Sequence, residues 1–424
     1  MKYTTFTGTG YKGGAISRKG ERTLHCRITI DLHTTHSAHL SAVEHIYTDA
    51  LLSGAGKYSR EAFIDAVNML GATIGVNIKN SRLTITLRTI EKNVPTLLKL
   101  FEVMMTSPAF ANSELKRIKK QTKNELIEHT ENAKAIALEN FENNLYGASD
   151  RRYTNSSAQL TTEVEKVSAS DLKKLHTQAR NNNWTVTLGA NTTVVQKVRK
   201  AVENCKKGTK LEITTGTHTQ KAPNKKTVLQ NIPSKQNIEF AIGTTLPLTL
   251  HHPDYLPFVF GLNVLGKWGG FTGRLMSTVR EKEGLTYGIY AQTETVEGEE
   301  QGHYRIMTFF APDKAVQGLT STLREINKIH TSGITQQEYK RFKVILQTQQ
   351  ALLADSLTQS VDTLHRYLCA DFSLKEIDAY QNRLMTVTRR EINQALKTHL
   401  HPDKLTISGA GPVQEVKKEI LTAV

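Results

Sequence analysis

Arg280 and Tyr287 stand seven residues apart, on either side of a glycine turn at Gly284, and could serve one oxygen atom. A guanidinium and a phenol are both strong donors. Aimed at one oxygen, they would stabilise negative charge developing there. Ahead of them runs Leu265-Gly266-Lys267-Trp268-Gly269-Gly270-Phe271-Thr272-Gly273-Arg274-Leu275. Gly269, Gly270 and Gly273 allow a tight turn or the close approach of a partner, since glycine leaves room where a side chain would not. An amphipathic stretch from Arg274 to Lys282 follows, and Tyr287 heads a β-rich segment. Taken singly, Gly-Gly pairs and Arg-Glu-Lys runs are ordinary turns and solvated helix faces.

The signal is longer than one motif. His252-Pro253-Asp254-Tyr255 precedes Leu262-Asn263-Val264-Leu265-Gly266, and Gly302-His303-Tyr304 lies beyond the turn. In order and spacing the whole string resembles the C-terminal half of the pitrilysin/insulinase family of zinc peptidases, the inverzincins. The resemblance implies two related α+β domains closing like a clamshell on an extended peptide. It also implies His-x-x-Glu-His on a helix of the first half, where two imidazoles one turn apart bind zinc and the Glu activates its water. A third ligand, a Glu, is expected some seventy-odd residues downstream.

That zinc motif is degenerate here. By letters, the nearest match is Ser41-Ala42-Val43-Glu44-His45, with a serine in place of the first imidazole. By position, counting back from Leu51-Leu52 and Lys57-Tyr58-Ser59, the slot falls on Ile46-Tyr47-Thr48-Asp49-Ala50. This register puts Ile46 and Ala50 in the histidine positions and Asp49 at the base, and sets Glu125 about where the downstream ligand belongs. His33, His36 and His39 read as exposed loop histidines. No metal site is assigned; His45, Asp49 and Glu125 are the degenerate candidates, and Glu125 also reads as an ordinary helix carboxylate.

These residues must be positioned by a fold large enough for two cores, as 424 residues allow. An internal repeat supplies the plan. Val167-Ser168-Ala169-Ser170-Asp171-Leu172 leads to Thr187-Leu188-Gly189-Ala190, and 220 residues later Val387-Thr388-Arg389-Arg390-Glu391-Ile392 leads to Ile407-Ser408-Gly409-Ala410. Each copy pairs a Ser/Thr helix cap and an acid three residues on with a short strand ending in Gly-Ala. Glu114-Leu115-Lys116-Arg117 and Glu338-Tyr339-Lys340-Arg341 open long amphipathic helices in the same order. The expected fold class is α+β: two homologous domains, 1–205 and 227–424, each a mainly antiparallel sheet with helices packed on one face. A Lys/Thr/Gly-rich linker, 206–226, joins them, with a short strand near Leu211.

Three scattered cysteines argue against a disulfide scaffold and for a reducing compartment. No apolar run is long enough to span a bilayer, and the polar, glycine-rich start has no leader-like apolar region. The cytoplasm is therefore the expected location. A net charge of +15 favours acidic partners or peptides. The bases are spread over helix faces without interleaved aromatics, so nucleic acid is not an expected partner.

Family members without the zinc motif resemble the non-zinc subunit of heterodimeric bacterial or mitochondrial processing peptidases. The resemblance therefore implies no cofactor in this chain, a zinc-bearing homologous partner and a peptide substrate. It implies Arg280 and Tyr287 holding the oxyanion of the peptide carbonyl at the partner's zinc, and Gly269, Gly270 and Gly273 letting the peptide backbone pass close by. Two other readings stay open: an inert scaffold subunit of a larger assembly, and a divergent peptidase active by itself.

Overall fold

The computed structural model describes residues 3–32, 36–208, 221, 226–266, 273–294 and 301–424. Gly269 and Gly270, and most of the expected linker with its strand near Leu211, lie outside them.

Six strands, β1 (Thr4–Gly8), β2 (Tyr11–Ser17), β3 (Thr23–Asp31), β4 (Thr73–Lys79), β5 (Arg82–Ile90) and β6 (Trp184–Ala190), form one sheet in the order β1-β2-β6-β3-β5-β4. Five more, β7 (Lys226–Asn231), β8 (Ile238–Leu246), β9 (Ile289–Glu294), β10 (Gly302–Phe310) and β11 (Thr406–Gly411), form a second in the order β7-β11-β8-β10-β9. Leaving out β1, the two wirings are the same. Each begins with one parallel pair, β2 with β6 and β7 with β11, and all other pairings are antiparallel. The sheets are therefore mixed, and the repeat read in the sequence is a repeat of topology.

Alternation along the strands decides which face is dry. In β3, Leu24, Cys26, Ile28 and Ile30 are buried, and in β5 Leu83, Ile85 and Leu87. They share one core with apolar residues of the helices Val94–Thr106, Ala169–Asn181 and Thr192–Cys205. Both repeat helices start as their sequence requires. Ser168 with Asp171 and Thr388 with Glu391 form complete capping boxes, satisfying backbone donors otherwise left bare at a helix start.

The compact units are not contiguous stretches of chain. One comprises Met1–Ile127, Asn155–Thr217 and Ala351–Leu374; the other comprises Glu128–Thr154, His218–Gln350 and Lys375–Val424. The contiguous boundaries read from the sequence thus misplace two segments. The helix Ala133–Leu145 packs on β8 and β11, and the helix Leu357–Cys369 packs on β2, β3 and β6. The sheet is shaped to receive the latter. A Cβ on Gly189 would lie 2.5 Å from Leu357 Cδ1 and 2.7 Å from Val361 Cγ2, and one on Gly14 would lie 2.9 Å from Leu368 Cδ1. Local patterning shows where such a helix begins and ends; it does not carry the address of the sheet it covers.

The face of β3 beneath that helix is polar. His25 Nε2 and Arg27 Nη1 each lie 3.1 Å from Asp362 Oδ1. His365 is buried with Nδ1 2.9 Å from Thr187 Oγ1 and Nε2 2.8 Å from Thr29 Oγ1. In the main core, His176 Nε2 donates to Met105 O at 2.9 Å, which leaves Nδ1 to accept from Tyr47 Oη at 2.8 Å. Burial lowers both imidazoles from the ordinary value of 6.5, His176 to about 4 and His365 to about 3. A folded-state pKa below the unfolded one means that the unfolded chain takes up the proton first. Stability is then full above pH 6.5 and falls as pH drops toward those values. Each histidine should cost about 2 kcal/mol by pH 5. Urea midpoints measured from pH 7 to pH 5 should fall, and the fall should shrink in His176→Gln and in His365→Gln. An unchanged slope in both variants would assign the acid sensitivity elsewhere.

Candidate functional site

The helix Ala38–Leu51 is capped by Ser37, whose side chain accepts from Leu40 N. Ala42, Val43, Ile46, Tyr47, Ala50 and Leu51 are buried in the core. The opposite stripe carries His45, Thr48 and Asp49, none of them buried. Glu125, on the helix Asn112–His129, meets this stripe: His45 Nε2 lies 3.6 Å from Glu125 Oε2, and Gln121 Nε2 donates to Glu125 Oε1 at 2.9 Å. Partial burial raises the Asp49 carboxyl above its ordinary range, and the Glu125 charge adds to this while His45 and Arg117 oppose it.

The three degenerate candidates, His45, Asp49 and Glu125, are therefore brought to one place. The register expected for the motif is displaced by one residue. Ile46 and Ala50, assigned to the histidine positions, point into the core; one residue earlier, on the exposed stripe, the same spacing falls on His45, Thr48 and Asp49. The signal was in the sequence: apolar residues at 42, 43, 46, 47 and 50 dictate a polar stripe through 45, 48 and 49.

This set does not fit a peptidase zinc centre. One imidazole remains, the second is replaced by a carboxylate, and the base by a hydroxyl. The Thr48 hydroxyl is moreover spent within its own helix, donating to His45 O at 2.9 Å. Ser41 is similarly occupied, donating to Ser37 O and accepting from Asn155 Nδ2, each at 3.1 Å. The other histidines go separate ways. His36 Nε2 lies 3.0 Å from Asn155 Nδ2 and His39 Nδ1 3.1 Å from Glu163 Oε2, while His33 lies outside the described residues. Among the described residues, no group of three or more His, Cys, Asp or Glu is arranged to hold a metal ion.

The second half presents a different surface. Met276–Lys282 forms a π-helix, the wider turn that accompanies many functional sites. It ends at Lys282, and the chain turns just beyond it at Gly284, whose φ of 64° suits glycine. Arg280 and Tyr287 line one cleft of about 540 Å³, together with Asn237, Thr286, Phe309 and Lys314. Tyr287 is 86% exposed. Gly273 has a packing reason to be glycine, because a Cβ there would lie 3.0 Å from Leu265 O. Arg274 is held by Glu338 and by Gly333 O. Of the remaining motif residues, Tyr304 is a core residue donating to Leu400 O, and His303 Nδ1 lies 2.7 Å from Tyr146 Oη.

Two family models match this architecture: the insulinase model (peptidase family M16) over residues 37–159, and the peptidase M16 inactive domain over 166–346. The chain belongs to the M16 peptidase family. Within it, this M16 chain is 20% identical over 367 residues to a protein of Helicobacter pylori named non-peptidase homolog YmxG, covering 86% of this chain and 83% of that one. Its fold is similar to the peptidase M16 inactive domain from Pseudomonas fluorescens, with a TM-score of 0.84 at 21% identity, over 97% of this chain and 98% of that one. It is also similar to a chain of Complex III2 from Candida albicans, with a TM-score of 0.76 at 14% identity, over 100% of this chain and 99% of that one. Its motif positions do not carry the complete His-x-x-Glu-His set. Among the described residues, no helix is long and apolar enough to cross a membrane.

Proposed function

We propose that this M16 chain is a non-catalytic subunit that holds a partner and does not itself cut peptides. The stripe facing Glu125 carries the reading. With His45, Thr48 and Asp49 in the three motif positions, one of the two imidazoles and the water-activating carboxylate are missing. The naming of one similar protein as a non-peptidase homolog, and the place of a similar fold in Complex III2, support a fold kept for assembly. The purified chain should contain no stoichiometric zinc by elemental analysis and should leave a quenched peptide library uncut. Bound zinc together with chelator-sensitive cleavage would overturn the proposal.

One observation favours a second reading. Arg280 and Tyr287 share a cleft wall, so a guanidinium and a phenol could serve a peptide carbonyl held at the zinc of a homologous partner. In a complex isolated with such a partner, Arg280→Ala or Tyr287→Phe should then slow cleavage by about 10²–10³ with assembly intact. Unchanged rates would leave the scaffold role alone standing.

A further inference from the structure

A second cleft of about 540 Å³ lies between the end of the helix Ala315–Ser332 and the helix Arg389–His399. Arg389, Arg390, Lys397 and His330 line it with the amides of Asn393 and Gln394, and no carboxylate is among its lining residues. The two arginines and the lysine are exposed. Arg390 and Lys397 make no hydrogen bond or ion pair with any described residue. His330 contributes a buried Nδ1 that also lacks a hydrogen-bond partner.

Helix electrostatics make this arrangement costly. Arg389 and Arg390 fill the first two helical positions after the Thr388 cap, where the partial positive charge of the helix start disfavours cations. The repeat provides an internal control. Ser168-Ala169-Ser170-Asp171 builds the same capping box with alanine and serine between cap and acid. The arginines are therefore not needed to start the helix. Arg389 donates to Ile334 O at 3.4 Å, whereas Arg390 has no such partner among the described residues. A local rule broken in one repeat and kept in the other marks a place where something else compensates.

We propose that this cleft binds an acidic polypeptide segment of a partner protein. Arg390 and Lys397 are seven residues apart on one helix, about 10 Å at 1.5 Å per residue. Carboxylates on alternate residues of an extended segment recur about every 7 Å, and the long flexible stems of Arg390 and Lys397 can take up the remaining ~3 Å. Such a segment meets cations at both ends of the cleft, and Asn393 and Gln394 between them suit its backbone groups. A lone phosphate would cover less of that length. The net charge of +15 draws acidic chains toward the protein without choosing a face; the cleft makes that choice. That the occupant is polypeptide rests on the partner-holding reading above, whereas the preference for a long anion rests on the cleft.

The test is fluorescence anisotropy on the full chain with a fluorescein-labelled decapeptide of alternating glutamate and serine. Arg390→Ala/Lys397→Ala is compared with Lys19→Ala/Lys120→Ala, which removes the same charge at other exposed positions, and thermal melts check that each variant is folded. Binding should weaken at least tenfold in the cleft variant and less than twofold in the control. Equal weakening in both would reduce the effect to net charge and overturn the proposal, as would absence of binding to the native chain. A charge-matched oligonucleotide or inorganic polyphosphate that binds through the cleft more tightly than the peptide would overturn the choice of polypeptide. None of these outcomes depends on zinc or hydrolysis, so failure here is separable from failure of the non-catalytic reading.

Discussion

Thr48→Glu combined with Asp49→His should convert this chain into a stoichiometric zinc binder. The substitutions complete His-x-x-Glu-His on a stripe that already faces Glu125. His45 Nε2 and Glu125 Oε2 are 3.6 Å apart, close to the roughly 3.3–3.6 Å edge of a tetrahedron whose ligands sit about 2.0–2.2 Å from zinc. Replacing Asp49 also removes a carboxylate whose charge is crowded by Glu125. Both positions lie outside the core, so the fold should tolerate the change. A gain in zinc affinity of roughly a thousandfold or more is expected, a fraction of the ~10–16 kcal/mol available to complete zinc sites. The displaced register makes the opposite prediction. Ile46→His with Ala50→His would set two imidazoles into positions 0% and 3% exposed, at a cost of several kcal/mol in lost packing and buried polar groups. Isothermal titration with zinc, with circular dichroism to report the fold, separates the two. A folded Thr48→Glu/Asp49→His protein that ignores zinc would show that Glu125 is wrongly placed to be a ligand.

The isolated first half, residues 1–208, should fail to fold, and co-expression with 221–424 should rescue it. Its sheet requires the helix Leu357–Cys369, which buries Val361, Leu364, Tyr367 and Leu368. At about 1.5–3 kcal/mol for each large apolar side chain, that helix supplies on the order of 6–12 kcal/mol. A whole domain is stable by only ~5–15 kcal/mol, so losing one helix uses up most of the margin. The polar face of β3 sharpens the effect, since His25 and Arg27 would lose Asp362, and Thr29 would lose His365. Solubility and amide exchange of the two fragments, apart and together, check this. A cooperative melt from 1–208 alone would mean that the exchanged helix is dispensable.

Much of this molecule can be read from local pattern, because caps, turns and apolar periodicity are decided within a few residues. Ser168 with Asp171 and Thr388 with Glu391 announced two helix starts, and their shared offset announced the repeat. The helix Ala38–Leu51 also carried its own register, since its apolar residues could face only the core. The slot set by the spacing from Leu51-Leu52 and Lys57-Tyr58-Ser59 falls one residue away, on Ile46 and Ala50, which are turned into the core.

Other features were decided only when the chain closed on itself. The meeting of His45 and Glu125 across 80 positions, the cleft shared by Arg280 and Tyr287, and the acid-free cleft at Arg390 and Lys397 each join residues from separate elements. The exchange of the helices Ala133–Leu145 and Leu357–Cys369 is the clearest case. An amphipathic helix states in its sequence that one face must be buried. Burial of apolar surface is non-directional, however, so either sheet could meet that demand. The choice was made by the shape of the receiving surface, where Gly14 and Gly189 leave room for Leu357, Val361 and Leu368.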